Sequence, residues 1–119
     1  MLQAVFIPGW FPTPLNKLMG GHWGTAHRRK SADAETVCRS VRAGGIVPAS
    51  GPRRVDLHLV VPKGKRRCDR DAFWKSSKDA LVQCGALVDD TPRLCRDGQT
   101  TFSRADDEFC GTLILLEDL

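Results

Sequence analysis

The clearest strand pattern in this 119-residue chain is Arg53-Arg54-Val55-Asp56-Leu57-His58-Leu59-Val60-Val61. Apolar and polar residues alternate before the stretch becomes wholly apolar, which predicts a β-strand with one face in a core. Leu57 and Leu59 share the apolar face, whereas Asp56 and His58 share the opposite one. We interpret His58 as a structural residue, because it is a lone histidine on the more polar face.

One helix is predicted before this strand, over residues 31–43. Ser31 or Asp33 is a suitable N-cap, and Gly44-Gly45 is a typical stop. The preceding residues 8–27 are rich in proline and glycine and predict a long loop. Its tryptophans could stack on nucleic-acid bases or pin the loop to the core, and pinning is the expectation here.

A second helix is predicted over residues 70–84, closed by a glycine. Its apolar side consists of Phe73, Ala80, Leu81 and Cys84, with Trp74 beside them. Lysines and an aspartate follow helical spacing along another side of the same segment.

Three further strands complete the expected order. Residues 2–7, 93–96 and 109–116 have strand patterns, the last two joined across Asp97-Gly98 and a polar stretch. We therefore expect an α+β fold in β-α-β-α-β-β order, with a mixed sheet and two helices, in one small domain.

Composition narrows the class of protein. No apolar run approaches the ~20 residues of a membrane span, and the N-terminus is interpreted as a strand and not as a signal peptide. The five cysteines include no C-x-x-C pair and the three histidines lack ligand spacing, which argues against zinc. Free thiols in a reducing cytoplasm are expected.

Charge is segregated along the chain, although the net charge is only +4. Residues 28–70 contain twelve lysines and arginines against four carboxylates, and residues 105–119 contain five carboxylates and no lysine or arginine. This distribution favours a basic face that binds phosphates. A solvated basic surface without a partner is the alternative.

A group of carboxylates and a lysine lies directly behind the most basic run. Asp69 and Asp71 stand two residues apart, and Lys75 follows Asp71 by one helical turn. Asp90 comes about twenty residues later and would join them if the chain returns beside the strand at 53–61. Carboxylates of this kind hold magnesium or manganese, and a nearby lysine would stabilise charge on a phosphate under attack. The structural alternative is that Asp69 and Asp71 cap a helix.

The stretch from Arg66 to Lys75, with Asp79-Ala80-Leu81, Gly85 and Val88-Asp89-Asp90, resembles the RusA-type Holliday junction resolvases. That family carries a basic run, a D-x-D-N-x-x-K motif, a D-A-L helix turn and a D-D pair before a strand. Its proline-rich first loop with an asparagine resembles the region around Asn16. On this resemblance residues 1–119 form one RusA-like endonuclease domain.

The resemblance implies a homodimer that cuts four-way DNA junctions with magnesium or manganese, in DNA recombination and repair. It implies that Asp69, Asp71 and Asp90 bind the metal and that Lys75 is the catalytic lysine. Asp89 is a weaker candidate, as a cap or a supporting group. We expect a bacterial or phage-encoded protein that associates with DNA. The expected DNA-binding residues are Asn16, Arg28, Arg29, Lys30, Lys63, Lys65, Arg66, Arg67 and Arg70.

One departure from the family pattern keeps a rival hypothesis open. Ala72 stands where the family has asparagine, inside the carboxylate motif. The alternative function is therefore a non-catalytic branched-DNA-binding protein with a decayed RusA-like site. A structural or interaction protein that uses its acidic C-terminal segment is a further alternative, which the carboxylates and Lys75 disfavour.

Overall fold

A four-stranded mixed sheet with two helices on one face forms the described part of the molecule. The structure is a computed structural model that describes residues 1–13, 23–63 and 73–119, and only the backbone of residues 23–27. The elements in chain order are β1 (Leu2–Pro8), α1 (Trp23–Ala43), β2 (Arg53–Pro62), α2 (Trp74–Gln83), β3 (Cys95–Ala105), a 3-10 helix (Asp107–Phe109) and β4 (Gly111–Asp118). The predicted α+β class and element order are confirmed.

The strands lie in the order β1-β4-β2-β3. β4 runs antiparallel to both of its neighbours, and β2 and β3 are parallel, so the sheet is mixed as expected. β4 occupies an interior position because its apolar residues allow burial on both sides. The parallel pair brings the start of β3 beside the start of β2, with Arg53 opposite Cys95.

The core lies between the sheet and the two helices. Val55, Leu57 and Leu59 of β2 are fully buried, in agreement with the predicted alternation. Ile114 of β4 and Leu81 of α2 join the same cluster. No helix within the described ranges is long and apolar enough to cross a membrane.

The first helix begins earlier than its sequence predicts. α1 starts at Trp23, so the loop prediction fails for residues 23–27, and neither Ser31 nor Asp33 is an N-cap. Asp33 is instead buried inside the helix, where its carboxylate accepts hydrogen bonds from Trp10 Nε1 and from the backbone N–H of Thr13, both at 3.1 Å. Trp10 packs against the core, as expected for a residue that pins the loop.

The predicted helix stops are confirmed. Gly45 has φ of 65°, a conformation that favours glycine, and its N–H bonds to the carbonyl of Arg42 while Ile46 bonds back to Val41. The second helix ends before Gly85, and Phe73, Ala80 and Leu81 are buried as predicted.

The Asp97-Gly98 pair lies inside a strand and does not join two strands. β3 runs on to Ala105, and the register with β2 shifts by one residue between Val55 and Leu57. This β-bulge reverses the alternation of β3, so that Asp97 and Thr100 both face the helices. The actual connection to β4 is the 3-10 helix, which includes the exposed Phe109 that the sequence had placed in a strand.

Gly98 is required at this bulge because there is no space for a side chain. A Cβ would overlap the Asp56 carboxylate and lie 2.8 Å from the carbonyl oxygen of Val55. Gly98→Ala should lower the free energy of unfolding by about 2 kcal/mol, the scale of an overpacked site. Urea unfolding measures this, with Gly51→Ala as the control because nothing lies within 4 Å of that position. If the Gly98→Ala and Gly51→Ala variants were equally stable, the lack of space for a side chain at the bulge would be contradicted.

Arg53 joins three separate parts of the fold. Its guanidinium is buried, and it donates to Asp118 Oδ1 at 2.8 Å and to the carbonyl oxygen of Ala86 at 3.0 Å. Asp118 lies at the end of β4, and Ala86 lies in the connection between α2 and β3. The hydrogen bond from Arg53 lowers the pKa of Asp118 from its usual value of 3.8.

Asp118→Asn should reveal this bond as a pH-dependent difference in stability. Because the pKa of Asp118 is lowered on folding, its contribution is complete above the unfolded value of about 3.8 and is lost as the pH falls through the folded pKa. Urea unfolding from pH 7 to pH 2.5 should therefore show the wild type more stable at neutral pH and a gap that closes in acid. Glu117→Gln is the matched control, and a gap as large at pH 2.5 as at pH 7 would contradict the Arg53–Asp118 bond.

Candidate metal and nucleic-acid site

One side of α2 presents charged residues because the other side is buried. Ser76, Ser77, Ala80 and Leu81 face the core, which leaves Lys75 pointing away from it. The Lys75 side chain is half exposed, and its Nζ lies 3.4 Å from Asp79 Oδ1, one helical turn further on. The predicted catalytic lysine is thus an accessible ammonium group held near a carboxylate.

Lys78 links this side of α2 to the sheet. Its Nζ lies 3.2 Å and 3.4 Å from the two carboxylate oxygens of Asp97 in β3. The Lys78 side chain is only 20% exposed, so the contact is partly shielded from water. Lys75 precedes Lys78 by three residues and therefore lies on the same side of the helix, about 5 to 6 Å away between Cβ atoms.

Asp90 lies in the cleft that this ion pair borders. The cleft is lined by Lys78, Asp90, Pro92, Cys95, Arg96 and Asp97. β3 pairs in parallel beside β2 with Cys95 opposite Arg53, so Asp90 lies toward the end of the sheet where β2 begins. Lys75 is not among the lining residues of this cleft, and Asp90 lies beyond the C-terminal end of α2.

Asp89 has a local structural role. Its carboxylate accepts the backbone N–H of Asp90 at 2.8 Å. This contact orients the peptide that carries Asp90.

The pKa of the buried Cys95 thiol reflects the charges that surround it in the cleft. Burial raises the pKa of Cys95, the negative charges of Asp97 and Asp90 raise it further, and Lys78 opposes them. The Cys95 thiol is therefore held in its protonated form more strongly than a solvent-exposed cysteine. Within the described ranges no three histidine, cysteine or acidic residues come together to hold a metal ion.

Several predicted site residues lie outside the described residues. They are Asn16, Lys65, Arg66, Arg67, Asp69, Arg70 and Asp71, together with the departing residue Ala72. The structure therefore places Asp90 in the cleft beside Lys78, and leaves Asp69 and Asp71 as predictions from the sequence.

The described basic candidates occupy two places. Arg28, Arg29 and Lys30 lie within α1, which begins before the predicted helix start at residue 31. Lys63 follows β2, and its Nζ lies 3.3 Å from Asp106 Oδ1 with both side chains exposed. The entrance to the basic run thus contacts the acidic C-terminal segment, so the two charged regions are not fully segregated.

Sequence reasoning missed Lys78, Cys95 and Asp97 as parts of this region. Lys78 carried a usable signal, since it follows Lys75 by three residues on the same side of a predicted helix. No signal in the sequence pointed to Asp97, because its position depends on the bulge at Gly98.

The thiols of Cys38, Cys84, Cys95 and Cys110 are free, as predicted for these four. Burial raises the pKa of Cys84 to about 11, with smaller contributions from the neighbouring thiol of Cys38 in α1. No zinc-type cluster is formed by the cysteines of the described ranges.

Comparison with known proteins gives limited information. No protein-family model matches the chain. A stretch of 70 residues is 39% identical to part of the tRNA 5-methylaminomethyl-2-thiouridine biosynthesis bifunctional protein MnmC of Polaromonas sp. (strain JS666 / ATCC BAA-500). The match covers 55% of this chain and 11% of that protein, so the similarity is partial on both sides.

The Lys78–Asp97 contact should behave as a weak, salt-sensitive coupling between α2 and β3. A double-mutant cycle with Lys78→Ala and Asp97→Ala should give about 0.5 kcal/mol at low salt, because Asp97 is half exposed and water screens the pair. The coupling should shrink in 1 M salt. Urea unfolding measures it, with the more exposed Arg39–Glu35 pair as the control expected to couple less strongly. A coupling unchanged by salt would contradict an electrostatic contact.

Proposed function

We propose that this protein is a metal-dependent, structure-selective endodeoxyribonuclease that resolves four-way DNA junctions by paired phosphodiester hydrolysis, in recombination and repair. The feature that carries the proposal is the order of Asp69-x-Asp71, Lys75 and Asp90 behind a basic run in the sequence. In the structure, Asp90 lies in a cleft lined by Lys78, which follows Lys75 by one helical turn.

A magnesium or manganese ion would be held by Asp69, Asp71 and Asp90. Carboxylate oxygens favour a hard cation, and Asp90 supplies such a donor in the described cleft. When bound, such an ion lowers the pKa of a bound water and neutralises charge on the phosphate.

Lys75 would stabilise the negative charge that develops on the phosphate or on the leaving oxygen. Its ammonium group is accessible, and the contact with Asp79 at 3.4 Å limits where it points before DNA binds. A phosphate oxygen competes well for such an ammonium because a partly exposed ion pair contributes little. Lys75 can therefore exchange Asp79 for the substrate at small cost.

DNA would be bound through phosphate contacts of the basic residues, with junction shape as the source of selectivity. Arg28, Arg29 and Lys30 on α1 are the described part of this set, with Lys63 at the start of the basic run. A homodimer suits the reaction, since two symmetric nicks call for two equivalent sites.

Cleavage of a synthetic four-way junction tests the proposal. The wild type should nick it with magnesium or manganese and fail to do so in EDTA, and linear duplex should be a poor substrate. Asp71→Asn and Asp90→Asn should each lower the nicking rate by about 10² to 10³-fold, a loss of roughly 3 to 4 kcal/mol of transition-state stabilisation. Both should bind the junction about as well as the wild type.

Asp89→Asn is the matched control, because an amide oxygen can still accept the N–H of Asp90. It should cut at a rate close to that of the wild type. If Asp71→Asn cuts as fast as the parent, the site assignment is wrong. If the parent binds junctions and never cuts them, the non-catalytic alternative is correct, and restoring the asparagine with Ala72→Asn then asks whether that position silenced the site.

A further inference from the structure

The sheet face opposite the helices has an ordered pattern of its own. Both described helices pack on the side of Val5, Leu57 and Ile114. The register places other residues on the opposite side, in two neighbouring rows across β1, β4 and β2. One row is Phe6-Leu113-His58, and the next is Ala4-Leu115-Asp56. We call these six residues the rear face.

The β1 and β4 part of the rear face is apolar. Phe6 is 41% exposed, and Leu2 beyond the two rows is 64% exposed. Leu113 and Leu115 are half-buried, and Ala4 is exposed. Apolar side chains that lie next to each other on a flat strand pair form a patch typical of an interaction surface.

The β2 part of the rear face is polar and held in place. His58 is bound on both ring nitrogens, by Thr101 Oγ1 at 2.5 Å and by Ser103 Oγ at 2.9 Å. The Asp56 carboxylate accepts the backbone N–H of Gln99 at 2.7 Å. Both side chains are therefore ordered before any partner binds, which lowers the entropy cost of an interface.

We propose that the rear face binds the rear face of a second copy of this chain, about a twofold axis that crosses the strands between the two rows. Such an axis places each row opposite the other row of the second copy. Leu113 then faces Leu115 of the second copy, and Phe6 faces its Ala4. His58 faces Asp56 of the second copy, so an imidazole meets a carboxylate at two equivalent positions.

The pattern favours a second copy over an unrelated protein because it is complementary to itself. With the rows exchanged, apolar residues meet apolar residues and no like charges meet, as an isologous interface requires. The three strands of the rear face, spaced about 4.8 Å apart and about eight residues long, cover roughly 380 Å² before side-chain relief is counted. That is about half of the ~800 Å² that each partner contributes to a standard-size interface, so a small interface is expected.

The proposed function calls for a twofold partner, which this interface would supply. Because association is measured without DNA or metal, either proposal can fail while the other holds. Sedimentation equilibrium from about 1 to 100 μM, with reductant to remove cysteine cross-links, should show a dimer for the wild type.

Ala4→Arg and Phe6→Asp should each weaken dimerisation by at least about 100-fold. Ala4→Arg removes no core residue, so it remains informative if Phe6→Asp fails to fold, and thermal unfolding checks both. The control is Phe109→Asp, since Phe109 is 63% exposed but lies on the 3-10 helix. A chain that stays monomeric at 100 μM, or a dimer that survives both rear-face variants, would overturn the inference.

Discussion

The buried guanidinium of Arg53 is the interaction on which the arrangement of this molecule depends. An arginine withdrawn from water is tolerated only with partners, and this one has Asp118 at the end of β4 and the Ala86 carbonyl after α2. The same residue opens β2 opposite Cys95 of β3. One side chain thus fixes where β4 ends and where the chain returns after α2. The position of Asp90, four residues beyond Ala86, follows from that return.

The candidate site is a consequence of this geometry more than of any local motif. β2 and β3 are parallel, so the segment between them must cross from one end of the sheet to the other, and α2 makes that crossing. The charged side of α2 then lies against the start of β3, where Lys78 meets Asp97. Lys75 and Asp90 belong to opposite ends of the crossing segment. Helix packing and strand pairing place Asp90 in one cleft with Lys78, which follows Lys75 by one helical turn.

The sequence predicted those features that depend on local periodicity. The alternation at Val55, Leu57 and Leu59 predicted β2 and its buried face, and the Gly44-Gly45 pair predicted the end of α1. The start of α1 could not be predicted, because Asp33 looks like a cap but bonds to Trp10 and Thr13 far from it in sequence. The sequence motif singled out Asp69, Asp71 and Lys75 as candidates. The surroundings of Asp90 could be described only from the fold. Ala72 remains a question for experiment, because its effect depends on atoms of the bound substrate and metal.

The bulge at Gly98 connects the two faces of the sheet. A regular strand would place Asp97 and Thr101 on the same face, but the extra residue reverses the alternation between them. Asp97 therefore meets Lys78 on the helix side, while Thr101 holds His58 on the rear face. Asp56 stabilises the bulge by accepting the N–H of Gln99, which also fixes the carboxylate on the rear face. A side chain at position 98 would disturb the candidate site and the rear face together, because both depend on the same extra residue.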